Sequence, residues 1–146
     1  MIALIQRVRE ARVDVDGGTV GAIGPGLLAL IGVQKDDAPR DVERLLERVL
    51  GYRVFPDPEG RMNLSLTDTG GGLLLVSQFT LAADTHKGMR AGFQTAAEPA
   101  RAETLFNSLV AAARLQHAGT VATGQFGAHM QVSLSNDGPV TFWLES

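Results

Sequence analysis

Apolar positions along this chain follow two different periods. Residues 2–8 and 11–15 are rich in apolar and β-branched side chains and read as two short strands. Asp16-Gly17-Gly18 then gives a turn signal, and residues 19–23 lead through Gly24-Pro25-Gly26 into the apolar run 27–33. This alternation predicts an antiparallel meander with a hairpin turn at Gly24-Pro25-Gly26. From 40 to 50 the period changes: Val42, Leu45, Leu46, Val49 and Leu50 fall on one helical stripe, with charged residues opposite and Pro39 near the start. A short strand is expected around 52–55, then a turn-rich stretch, while 62–66 fits no single period. Gly70-Gly71-Gly72 precedes a further strand, taken as extended over 73–81. A second helix is expected over 99–115, where Ala102, Leu105, Phe106, Leu109, Val110 and Ala113 share a stripe. Residues 121–145 return to strands, 130–134 and 140–144, separated by a turn at 135–138.

Two main helices among about eight short strands indicate an α+β fold with a mostly antiparallel sheet or barrel, in one domain over residues 1–146. The 146-residue length and 45% hydrophobic content suffice for one core. No stretch approaches the ~20 apolar residues of a membrane span, and Arg7, Arg9, Glu10 and Arg12 interrupt the leading segment where a signal peptide would be apolar. The expected partners therefore exclude a membrane. The chain has no cysteine, which excludes disulfides and thiolate catalysis and fits a cytoplasmic location. A net charge of −3 argues against binding nucleic acid by overall charge and leaves only a local basic patch.

Candidate chemistry is sparse. "GAIGPG" resembles a phosphate loop, but LLALIGV after it reads as a strand rather than the helix that such a loop requires. His86, His117 and His129 show no metal-ligand spacing and read as surface residues; no metal and no cofactor is implied. Ser77, Asp84 and His86 can be combined into a triad only on paper, because no nucleophile-elbow motif surrounds the serine. Two stretches remain. In "SQFTL", residues 77–81, an extended chain would put Ser77, Phe79 and Leu81 on one face and Gln78 and Thr80 on the other. A plain core strand explains that stretch about as well. In "NDGPVT", residues 136–141, Gly138-Pro139 stands directly before an apolar strand, where proline cannot donate to a ladder.

These two stretches together resemble the signature motifs of the D-aminoacyl-tRNA deacylase family. "ALIQRV" at 3–8, "VDG" at 15–17, "GAIGPGLLALIGV" at 21–33, "MNLS" at 62–65, "ADTHKG" at 83–88 and "TGQFGAHMQVSL" at 123–134 extend the similarity over the whole chain. The chain departs from the family pattern at Ala91, where proline is common, and at His129, where an acidic residue is frequent.

The resemblance implies a β-barrel-like homodimer of bacterial type that hydrolyses the ester between a D-amino acid and tRNA. It also implies a cis Gly138-Pro139 pair that enters the partner subunit's site and reads chirality at the main chain. Arg7 would hold that loop through its carbonyls. Ser77, Gln78, Phe79 and Thr80 would form the catalytic pocket, with backbone N–H groups near Phe79 and Thr80 stabilising the oxyanion. The favoured route is assisted by the ribose 2′-hydroxyl, with Thr80 as nucleophile the alternative, and glycyl-tRNA becomes an expected second substrate. Lys87 and Arg90, with Arg101 and Arg114, are candidate tRNA contacts. Alternatives from other classes are a noncatalytic tRNA-binding module and a general esterase.

Overall fold

The computed structural model describes residues 1–146. Its first element, β1 (Ile2–Val15), is one continuous strand of 14 residues, not two. Arg9, Glu10 and Arg12 do not break it, because they point to solvent while Val8, Ala11 and Val13 are buried. After a tight turn with Asp16 and Gly17 at positive φ, β2 (Gly18–Ile23) and β3 (Gly26–Gly32) follow. Both run antiparallel to β1: Val15 to Ala11 faces Gly18 to Ile23, and Val8 to Ile2 faces Gly26 to Gly32. The chain therefore does not reverse at Gly24-Pro25. The expected meander is one long return strand, interrupted where Pro25 has no N–H to give to the ladder.

α1 (Pro39–Gly51) buries the five stripe residues named above. Its N-cap, Ala38, has no side-chain acceptor, but the Asp41 carboxylate reaches back to the Ala38 N–H at 2.8 Å. That bond holds the Asp41 carboxyl below the usual carboxylate range, against the opposing effect of burial. The short hairpin β4 (Phe55–Pro56) and β5 (Met62–Leu64) follows, so most of the ambiguous segment 62–66 is strand, and α2 (Leu66–Thr69), a four-residue helix, begins at its last residue. Ser65 and Asp68 cap α2 reciprocally, and the Ser65 N–H and hydroxyl lower the Asp68 pKa.

β6 (Gly72–Ser77) runs parallel to β3, and β7 (Val121–Thr123) parallel to β6. The sheet is mixed, with the antiparallel pairings all made by β1. Apolar residues run unbroken through β3 and β6 because both faces are covered. Leu27, Ala29, Leu73 and Leu75 join the core under α1 and α3 (Pro99–Gln116). Leu28, Leu74 and Val76 pack with Val8, Val13 and Ile23 in the barrel interior. β2 closes against β7, where a Cβ added at Gly21 would lie 2.2 Å from the Thr123 carbonyl oxygen, so the barrel is nearly complete.

β8 (Gln131–Glu145) is also one strand, paired with β1 along its length, rather than two strands and a turn. Val8 faces Asn136 and Gln6 faces Thr141, so the four residues 137–140 stand opposite Arg7 alone. The turn signal read at 135–138 thus marks a wide bulge, which bends a strand without reversing it.

Candidate functional site

The main cavity opens where β3 and β6 end, the side of parallel strands on which ligand crevices commonly form. It has a volume of about 470 Å³, within the ~300–1,000 Å³ of small-molecule pockets. Ser77, Gln78 and Phe79 form one wall, Pro99, Ala102 and Phe106 of α3 another, and Phe126 to Met130 a third. Most of the lining is apolar, and His129 is its only titratable side chain. No carboxylate reaches this wall.

SQFTL is not extended beyond Ser77. Phe79 to Ala82 form a single 3₁₀ turn, entered by Gln78 at φ −142°, ψ 81°. The Gln78 N–H is held by the Ile31 carbonyl at 2.7 Å, and the Gln78 carbonyl takes the Leu81 N–H at 3.2 Å. The expected two-face split of Ser77, Phe79 and Leu81 from Gln78 and Thr80 is therefore replaced by a turn. The Phe79 and Thr80 amides open that turn, where a 3₁₀ helix has no internal acceptor for them. Thr80 is exposed and outside the cavity wall, and its hydroxyl accepts a 2.5 Å hydrogen bond from the Gln78 side-chain amide. Its partner is a donor, not a base.

Asp84 accepts the backbone N–H of His86, not its ring, and its other oxygen takes the Gln94 amide. Ser77, Asp84 and His86 therefore form no catalytic chain. His117, expected at the surface, is buried, with Nε2 donating to the Gly71 carbonyl at 2.7 Å. It ties the end of α3 to the entry of β6. His86 and His129 are exposed.

Residues 84–92 form an arm pinned at its base by paired Asp84–Gly92 backbone bonds. Lys87, Met89 and Arg90 are exposed along it, and Phe93 stacks on Phe79 at 5.2 Å, which ties the arm to the cavity rim. Arg101 is exposed at the start of α3, with Nη2 donating to the Asp37 carbonyl at 2.6 Å. Arg114 lies far along α3 from Ala102, about 18 Å at ~1.5 Å per residue. Of the basic group expected from sequence, Lys87 and Arg90 share the arm, while Arg101 and Arg114 sit on α3.

Gly138 and Pro139 are exposed, joined by a cis peptide bond, and absent from this chain's own cavity wall. Gly138 has φ +134°, and an added Cβ would lie 2.8 Å from Val140 Cγ2. Arg7 fills the space behind the bulge: Nε donates to the Asp137 carbonyl at 3.0 Å and Nη1 to the Val54 carbonyl at 2.6 Å. The Asp137 carboxylate lies 3.5 Å from Arg7 and 3.6 Å from Arg9. The sequence pattern places Ala102 and Phe106 in a helix stripe, Pro99 at that helix's start and Met130 in a strand, and gives none of them, nor Phe126, a role in a site. Nothing in their spacing signals a cavity, since they meet only when α3 folds over the end of β6.

A family model described as D-Tyr-tRNA(Tyr) deacylase matches residues 4–145. A D-aminoacyl-tRNA deacylase from Thioalkalivibrio sulfidiphilus is 70% identical over 99% of this chain and 97% of its own length. One from Alkalilimnicola ehrlichii is 66% identical over 100% and 97%. Among solved structures, one described as c-Myc DNA Unwinding Element Binding Protein superposes with a TM-score of 0.96 at 38% identity, covering 100% of this chain and 99% of that one. A second, described as a probable eukaryotic D-amino acid tRNA deacylase, has a TM-score of 0.84 at 17% identity over 99% and 98%, a likeness of fold.

Proposed function

The chain belongs to the D-Tyr-tRNA(Tyr) deacylase family and is a hydrolase of D-aminoacyl-tRNA, and from that premise we propose how it works and what else it accepts. Water adds its oxygen to the ester carbonyl carbon, the ribose oxygen leaves with a proton, and free D-amino acid and tRNA separate. The observation that carries this reading is the cavity at the Ser77–Phe79 turn, which offers backbone donors but no carboxylate. The free amides of Phe79 and Thr80 stabilise the developing oxyanion, a contribution of about 2.7–4 kcal/mol per donor in a comparable acyl-transfer site.

Activation of water then falls to the substrate. A threonine nucleophile needs an acceptor for its proton, whereas the Thr80 hydroxyl accepts a hydrogen bond from the Gln78 amide and has no base beside it. The neighbouring ribose 2′-hydroxyl serves instead, with Ser77 and Gln78 on the pocket wall and Thr80 holding the Gln78 amide from outside it.

Gly138 and Pro139 lie exposed and outside their own chain's cavity. This fits a homodimer in which the pair enters the pocket of a second copy, its carbonyls facing the substrate's α-carbon and amino group. The unpaired outer edge of β8, with Trp143 48% exposed, is a surface such a dimer would cover. An L-residue would then meet a wall, while the side chain of a D-residue points outward. Glycine has nothing to exclude, so glycyl-tRNA is a second, slower substrate. Lys87 and Arg90 hold the tRNA backbone beside the cavity. No helix is long and apolar enough to cross a membrane, and charged tRNA as substrate fits a cytoplasmic location.

Release of amino acid from matched D-tyrosyl-, L-tyrosyl- and glycyl-tRNA by the purified protein, in EDTA, tests this reading. Rapid release from the D-form, slower release of glycine at high enzyme and none from the L-form are expected. Release from both enantiomers would indicate a general esterase, and release from none a tRNA-binding module.

A further inference from the structure

We propose that Asn136 is a positioning residue for stereochemical selection, acting through Gly138-Pro139. The inference rests on the reading above, in which that pair's carbonyls face the substrate. Between Asn136 and Thr141 the β1–β8 register shifts, and residues 137–140 face only Arg7. Regular ladder pairing does not set the direction of this segment, so side chains must do so.

The two sides of the bulge are held differently. On the entry side, Arg7 takes the Asp137 carbonyl at 3.0 Å, and the Asp137 carboxylate lies between Arg7 and Arg9. On the exit side the hold is Asn136, reaching across the neck. Its Oδ1 accepts the Val140 N–H at 3.1 Å, and its Nδ2 donates to Thr141 Oγ1 at 3.0 Å. The amide orientation follows from its partners, since a backbone N–H can only donate and must face the oxygen. Gln6 Nε2 also reaches Thr141 Oγ1, at 3.4 Å, which links the bracket to β1.

Asn136 thus closes a short ring that contains both Gly138 and Pro139. Without it, the segment is fixed at Asp137 and free to tilt at Val140. A steric filter depends on placement within about 0.5 Å, whereas a reaction run by amides on another segment does not depend on this bracket directly. Losing Asn136 should therefore weaken rejection of the L-substrate more than hydrolysis of the D-substrate.

The test compares initial release rates on D- and L-tyrosyl-tRNA for the parent protein, Asn136→Ala, Asn136→Asp and Pro139→Ala, with thermal melts in parallel. Asn136→Ala should raise the L:D rate ratio roughly 10-fold, the scale of a lost hydrogen-bond bracket. Asn136→Asp keeps the acceptor for Val140 and can accept the Thr141 hydroxyl proton, so it should restore the parent ratio. If Pro139→Ala raises the ratio while Asn136→Ala slows both substrates in step, Asn136 is structural only and the inference is overturned with the chiral reading intact. A ratio unmoved by either variant overturns the chiral reading and the inference together. Should Asn136→Ala fail to fold, Thr141→Val removes half of the bracket and should give a smaller rise, roughly 3-fold; an unchanged ratio there overturns the inference.

Discussion

At Thr80 two mechanisms separate by a single hydroxyl. Its only hydrogen-bond partner is the Gln78 amide, a donor, so removing the hydroxyl should leave the reaction largely intact. Thr80→Ala is expected to lower kcat on D-tyrosyl-tRNA by no more than roughly 10-fold. Loss of a true nucleophile costs on the order of 10⁴-fold or more, so a single-turnover measurement decides between the two. The motif around this residue was legible as a candidate site, yet its shape was not. Ser77 to Leu81 read as extended because nothing local stops a strand at Ser77. The Ile31 carbonyl takes the Gln78 N–H as the last bond of the β3–β6 ladder, and β3 ends at Gly32, so no acceptor on β3 carries the pairing further. That limit is set by a partner strand, beyond the reach of any local pattern. For His117 the same holds, since its burial depends on a carbonyl of the glycine run before β6.

Among the elements, the helices were the most readable. Both long ones carry stripes that bury the expected residues, and proline marks the start of each. The strands were read as too short and too many. Charged residues in β1 look like interruptions but face solvent, with Arg9 and Glu10 at an irregularity in the ladder, and Asn136-Asp137-Gly138 in β8 looks like a turn but is a bulge. Gly24-Pro25 was the mirror case, a turn signal spent on an interruption within a continuing track. The incomplete cap of α1 gives a clear prediction. Asp41 already bonds the Ala38 N–H, and the Ala38 carbonyl takes the Asp41 N–H at 2.9 Å, but the Ala38 side chain offers the first turn no acceptor. Ala38→Ser completes the reciprocal pair and should stabilise the protein by about 0.5–1 kcal/mol. In a chain of this size that amounts to a rise in Tm of roughly 1–4 °C, readable by thermal melting. No rise would mean that the Ala38 carbonyl already satisfies the Asp41 N–H that the new hydroxyl would take.

For the whole molecule, α+β was readable from the alternation of periods, but the near closure of the sheet was not. Closure depends on backbones approaching where side chains are missing. At Gly26 an added Cβ would lie 1.9 Å from the Gly72 carbonyl oxygen, a collision with the adjacent parallel strand that no rotamer relieves. Gly26→Ala should therefore cost about 2–4 kcal/mol, through displaced strands. Urea unfolding checks this, and Gly24→Ala, with open space at its Cβ, is the control expected to stay within about 1 kcal/mol.

The pairing of β1 with β8 also governs how the chain reaches this state. One edge of β1 finds its neighbours quickly, because β2 and β3 follow directly after a two-residue turn. The other waits for the last strand in the sequence, with Ile2 facing Glu145. During synthesis the first strand therefore stays open along that edge until the last is made. Such long-range pairing places folding toward the slower, millisecond-to-second end of the range for small domains. In that interval the β1 edge is the surface most open to pairing with another chain, so nascent or refolding protein is more prone to aggregate than the finished molecule.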